Sequence, residues 1–140
     1  MDVLETYLDM ADKIIIFRKR FNLKQAKIAE MINVSRATVS NYENLRSKIP
    51  DNIEHQLKKI FQEYSFEIDY EDLYEEEKFL LYRIRNKLNQ IEIAKLLGYN
   101  SKYYSHIETG NSPITTQFAN RFKSDILNWR ENDSPVQYVV

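Results

Sequence analysis

Apolar residues recur along this chain at helical spacing. Val3, Leu4, Tyr7, Leu8, Ala11, Ile14 and Ile15 form an i, i+3, i+4 stripe, the mark of an amphipathic helix with one buried face. Ile28, Met31 and Ile32 share a second helical face, and Val39 and Tyr42, three apart, share a third. Ile49, Ile53, Leu57, Ile60, Phe61 and Tyr64 predict a longer amphipathic helix after these, as do Ile114, Phe118, Phe122, Ile126 and Trp129 further on. These last two helices are expected to close two separate cores. The first stripe is longer than one small domain needs, so a homodimer interface stands beside core packing as its reading.

The pattern repeats. Setting FRKRFNLKQAKIAEMINVSRATVSNYEN above YRIRNKLNQIEIAKLLGYNSKYYSHIET without a gap aligns the chain with itself at an offset of 65. Arg18/Arg83, Arg20/Arg85, Leu23/Leu88, Gln25/Gln90, Ile28/Ile93, Ala29/Ala94, Ser40/Ser105 and Glu43/Glu108 are identical in that register. Asn33 and Gly98 share one slot, between the two short helices of each copy, and both types enter left-handed backbone geometry at low cost. Ser35 and Asn100 follow as natural N-caps for the next helix. Ala29 and Ala94 are small where two crossing helices need close approach.

Composition narrows the chemistry. The 140 residues include no Cys, two His, two Gly and three Pro, so thiolate catalysis, disulfides and sulfur-ligated zinc are excluded. Gly98 and Gly110 alone cannot build a phosphate-cradling loop. No nucleophile, base and orienter can be assembled, and the chain reads as no enzyme, with no cofactor. No apolar stretch is longer than Ile14 to Phe17 and the amino terminus has no signal pattern, from which no membrane span and a cytoplasmic location are expected. So little turn punctuation implies an all-α fold.

The net charge of −1 hides a segregation. Glu67, Asp69, Glu71, Asp72, Glu75, Glu76 and Glu77 form an acidic run with no base, which leaves the rest at net +6. Phe17 to Pro50 holds eight Lys/Arg against two Glu, and Tyr82 to Pro113 holds five against two. Clustered cations of this kind suit a phosphate-binding face. The organisation that follows is residues 1–65 as one domain, 66–77 as an acidic linker leading into the next helix, 78–130 as a second domain and 131–140 as a tail.

NLKQAKIAEMINVSRATVSNYEN and LNQIEIAKLLGYNSKYYSHIETG resemble the helix-turn-helix core of Cro-type (XRE-type) phage repressors. The shared features are an Arg before the motif (Arg18, Arg83), Leu-x-Gln opening its first helix, the small Ala, the turn residue and a Glu closing the second helix. The resemblance covers residues 12 to 61 and 77 to 127. It implies two tandem lambda-repressor-like domains of four to five helices each, with Arg18–Glu43 and Arg83–Glu108 as structural ion pairs. It also puts Gln25 and Gln90 on backbone phosphates. Leu45 departs from the family, standing where a Gly commonly follows the Glu-Asn pair, so the first copy's turn is expected to be built differently from the second's, which keeps Gly110.

In such proteins base contacts come from the start and exposed face of the second motif helix. Those slots hold Ser35, Arg36, Ala37, Thr38 and Asn41 in the first copy and Asn100, Ser101, Lys102, Tyr103 and His106 in the second. Arg can fork onto guanine, Asn onto adenine, and Ala or Thr can meet a thymine methyl. Asn44, Arg46 and Lys48 in the following loop are candidates for phosphate. The resemblance thus implies a sequence-specific regulator of transcription that binds double-stranded DNA, a repressor of phage or mobile-element type. The alternative is a helix-turn-helix scaffold that binds protein, such as an antirepressor, antitoxin or nuclease inhibitor, with the acidic linker or the second domain as the partner surface.

Overall fold

A computed structural model describes residues 8–124. Val3, Leu4, Tyr7, Ile126, Trp129 and the tail 131–140 lie outside the described residues. Within them the chain forms eight α-helices, a 3-10 turn and no strand; the fold is all-α. It divides into two compact units, Met1–Leu73 and Tyr74–Val140.

In the first unit α1 spans Met10–Phe21. It opens on a capping box in which the Asp12 amide donates to Asp9 Oδ1 at 2.8 Å and the Asp9 amide to Asp12 Oδ2 at 3.4 Å. Such caps satisfy amides that have no intrahelical partner. Ile14, Ile15, Ile16 and Phe17 are buried in succession, so this part of α1 is covered on every side. Next come α2 (Gln25–Ile32), α3 (Arg36–Glu43) and α4 (Asp51–Glu63). Ile28, Ala29, Ile32, Val39, Tyr42, Ile53, Leu57 and Phe61 are buried with α1.

The segment after α4 does not behave as a linker throughout. Phe66 packs on Phe17 and Phe61, with ring centroids 5.2 and 5.1 Å apart. Phe66 and Ile68 are buried while Glu67 and Asp69 are exposed, the alternation by which an extended segment buries one face. A 3-10 turn, Tyr70–Asp72, follows, and Arg20 Nη2 donates to the Asp72 carbonyl at 3.0 Å. Of the acidic run, Glu75, Glu76 and Glu77 alone occupy the first turn of the next helix, where acids oppose the helix dipole.

The second unit contains α5 (Glu75–Arg85), α6 (Gln90–Leu97), α7 (Ser101–Glu108) and α8 (Thr116–Phe122). Its core is Phe79, Ile93, Ala94, Leu97, Tyr104, Ile107, Phe118 and Phe122. The bounds of α6 and α7 fall 65 residues after those of α2 and α3. Positive φ recurs at the same interval: Asn22 and Lys87 (54° and 57°), Asn33 and Gly98 (56° and 80°), Leu45 and Gly110 (58° and 83°).

Candidate nucleic-acid interface

The two short helices of the first unit are joined by a tight turn. Asn33 ends α2 in the left-handed region, and the Val34 amide reaches back to the Ala29 carbonyl at 2.9 Å. Ser35 then caps α3, its Oγ accepting from the Thr38 amide at 3.1 Å. Buried Ala29 lets the helices approach closely.

Behind this pair lies a charged cluster. Arg18 Nε donates to Glu43 Oε2 at 2.6 Å and Nη2 to Oε1 at 2.9 Å, while Nη1 donates to the Leu23 carbonyl at 3.1 Å. Such a bidentate fork fixes direction as well as distance, so α1 is tied to the end of α3. Gln25 Nε2 donates to the same carboxylate at 3.0 Å.

The second unit builds this cluster again. Arg83 donates to Glu108 at 2.7 and 2.9 Å and to the Leu88 carbonyl at 3.0 Å, and Gln90 Nε2 donates to Glu108 Oε1 at 3.0 Å. Burial alone lowers a guanidinium's pKa, and the bonded Glu108 carboxylate more than reverses it, so Arg83 is held above its ordinary value. Tyr104, where the first unit has Val39, is fully buried and its hydroxyl has no hydrogen-bond partner. Burial, then the charge of Glu108, pushes that hydroxyl far up.

Gln25 and Gln90 each commit one Nε2 N–H to a carboxylate inside the fold, which leaves each amide a second N–H. Asn44 likewise donates from Nδ2 to the Ser40 carbonyl at 2.9 Å, closing the end of α3. One expectation changes, at Leu45. The amides of Leu45 and Arg46 bond to the carbonyls of Tyr42 and Asn41 at 3.2 and 2.8 Å, and those of Gly110 and Asn111 bond to Ile107 and His106 at 3.1 and 2.8 Å. The two turns are built alike, and Leu45 accepts the left-handed geometry that Gly110 takes without a side chain.

On the outer surface of α3, Arg36 and Ala37 are exposed and Asn41 is half-buried. Ser35 Oγ and Thr38 Oγ1 lie 2.8 Å apart, so both hydroxyls are engaged at the cap. Arg36 Nη1 stands 3.5 Å from Gln25 Oε1. Arg46 and Lys48 are exposed in the next loop. Together Arg36, Arg46 and Lys48 make this exposed surface cationic, which suits a polyanion.

The equivalent surface of the second unit is different. Asn100 Oδ1 caps α7 through the Tyr103 amide at 2.7 Å. The Tyr103 ring packs 5.0 Å from Tyr99 and 6.2 Å from Phe118, which turns it to the core. Lys102 is exposed, Ser101 and His106 are half-buried, and the loop carries Asn111 and Pro113 where the first has Arg46 and Lys48. On α6, Ile91 and Leu96 are 67% and 43% exposed.

The Gln-to-Glu contact was missed from sequence, although a signal existed: Arg, Gln and Glu recur together at 18, 25 and 43 and at 83, 90 and 108. His55 is exposed on α4. Among the described residues no group of His, Asp and Glu could hold a metal ion, and no helix is long and apolar enough to cross a membrane. No curated protein and no solved structure matches the chain. Residues 14–52, which run from within α1 through both short helices to the first turn of α4, match the family model described as helix-turn-helix.

Proposed function

We propose that this chain is a sequence-specific DNA-binding transcription regulator, a repressor of phage or mobile-element type acting in the cytoplasm by occupancy and without catalysis. The observation that carries this is the coincidence of the family match over residues 14–52 with a helix, α3, whose outer face holds exposed Arg36 and Ala37 beside Arg46 and Lys48. The second unit is a second helix-turn-helix domain on this reading, supported by its helix bounds and its Arg83–Glu108–Gln90 cluster. Because the two outer faces differ, the DNA site has two unlike parts.

The test is selection of bound duplexes from random DNA by the purified chain, repeated with Arg36→Ala and with Lys102→Ala plus His106→Ala. The expected result is a two-part motif that loses one part in each variant; no enrichment at low salt refutes it. A second reading, a protein-binding scaffold, is favoured by exposed Ile91 and Leu96 and by the inward packing of Tyr103. It predicts partner binding that is nearly indifferent to salt, whereas phosphate contacts make affinity fall steeply with it.

A further inference from the structure

We infer that Leu45 is an apolar contact to DNA, packing on a deoxyribose beside the phosphates taken by Arg46 and Lys48; the inference rests on the DNA-binding function proposed above. Leu45 lies in the left-handed region at φ 58°, where the Cβ of an L-residue crowds the carbonyl that follows. Among the described residues with positive φ it has the one wholly apolar side chain; the others are Asn22, Asn33, Ser65, Lys87, Gly98 and Gly110. Little packing offsets this strain, because Leu45 stays 54% exposed. Gly110 makes the equivalent turn of the second unit with the same hydrogen bonds and no side chain, so the turn itself does not call for leucine. A residue that is strained, exposed and apolar at once points to a role outside the fold.

The surroundings of Leu45 decide what it meets. Its loop is pinned to α3: the amides of Arg46 and Ser47 donate to the Asn41 carbonyl at 2.8 and 3.4 Å, and Asn44 Nδ2 donates to the Ser40 carbonyl at 2.9 Å. Leu45 is thus carried next to the end of α3 on a turn already formed, so little ordering remains to be lost on binding. Exposed Arg46 and Lys48 follow it directly in the chain. A DNA strand presents anionic phosphates separated by sugars with apolar C–H faces, and can meet the cations and the leucine together. Contacts to phosphate and sugar carry no sequence information, so Leu45 adds affinity rather than discrimination.

The experiment uses the full chain, its selected duplex and duplexes altered at one base pair at a time. Affinity, salt slope, urea midpoint and oligomeric state are measured for wild type, Leu45→Gly, Leu45→Asn and Leu45→Met. Leu45→Gly removes side chain and strain together, whereas Leu45→Asn removes the apolar surface and keeps a stiffer backbone that tolerates the left-handed region. Both are expected to weaken every duplex by about five- to tenfold, as burying the exposed half of a leucine supplies. The salt slope should stay unchanged, because no charge is lost. The urea midpoint of Leu45→Asn should hold or rise, so affinity falls while stability does not. Leu45→Met restores an apolar surface and should recover most of the lost affinity.

Binding as tight as wild type in Leu45→Gly and Leu45→Asn would overturn the inference and leave the DNA-binding function standing. So would a loss at one base pair alone, which would make Leu45 a base contact, or a reduced salt slope, which would trace the loss to displaced Arg46 and Lys48. A change in oligomeric state would make Leu45 a protein contact, and a lowered urea midpoint in Leu45→Asn would show that the fold itself holds the side chain; either overturns the inference. A wild-type chain that binds no duplex at low salt removes the DNA-binding function and this inference with it.

Discussion

Removing Arg18 tests whether the buried pair governs the first unit. The Glu43 side chain is 4% exposed and that of Arg18 is 23% exposed. Arg18→Met keeps the apolar stem but strips Glu43 of two charge-assisted bonds, at 2.6 and 2.9 Å, leaving Gln25 as a neutral donor. Breaking a buried pair by removing one partner costs about 3 to 5 kcal/mol, against a typical total of about 5 to 15 kcal/mol for a domain.

Urea unfolding of wild type and Arg18→Met at neutral pH reads the difference directly. Arg18→Met combined with Glu43→Leu should be less destabilised than Arg18→Met alone, because the Glu43 charge is removed together with its partner. A double variant as unstable as the single would refute the reasoning.

Other consequences can be checked with single substitutions. Tyr104→Phe deletes a buried hydroxyl that lies beside Glu108 and Arg83 without a hydrogen bond of good geometry to either and should stabilise the second unit by about 1 kcal/mol, read as a rise in the urea midpoint; a loss of that size would mean the hydroxyl is satisfied in solution. At Gly110, φ is 83° and an added Cβ would find its nearest neighbour, Glu76 Oε2, at 3.8 Å. Gly110→Ala therefore meets no clash and should cost only the left-handed strain less the gain from a stiffer unfolded chain, about 0.5 to 1 kcal/mol. A cost above about 2 kcal/mol would show the space is not open. Lys48→Ala should weaken all duplexes about equally and reduce the salt slope by about one; an unchanged slope removes Lys48 from the phosphate contacts.

Much of this architecture could be read from the chain because local chemistry and packing agree. Asn33 and Gly98 were legible as turn residues since few types tolerate that backbone, and Ser35 and Asn100 as caps since their side chains bond amides nearby in sequence. What escaped reading depends on longer contacts. The charge of 67–77 suggested a linker, but burial follows Phe66 and Ile68, whose partners Phe17 and Phe61 lie elsewhere in the chain. The direction of an amide is invisible in sequence, and only Glu43 and Glu108 fix Gln25 and Gln90. Leu45 was misread for a similar reason. A left-handed leucine is strained, yet the turn's hydrogen bonds impose the same path there as at Gly110.

The two units keep one interior frame while differing where solvent meets them, and this bears on how affinity would divide between them. The Arg-Glu-Gln cluster is repeated to within 0.1 Å in each bond, so α3 and α7 are each held in their own unit by equivalent contacts. The loop beyond it is not repeated: Arg46 and Lys48 give way to Asn111 and Pro113. If each loop cation neutralises one phosphate, the first loop contributes a salt slope of roughly −1.8 and the second none. Lys102 is the one lysine or arginine on α7. Under the proposed function the first unit therefore supplies most of the electrostatic anchoring. Removing Arg46 and Lys48 together should accordingly flatten the salt dependence of the whole chain far more than removing Lys102.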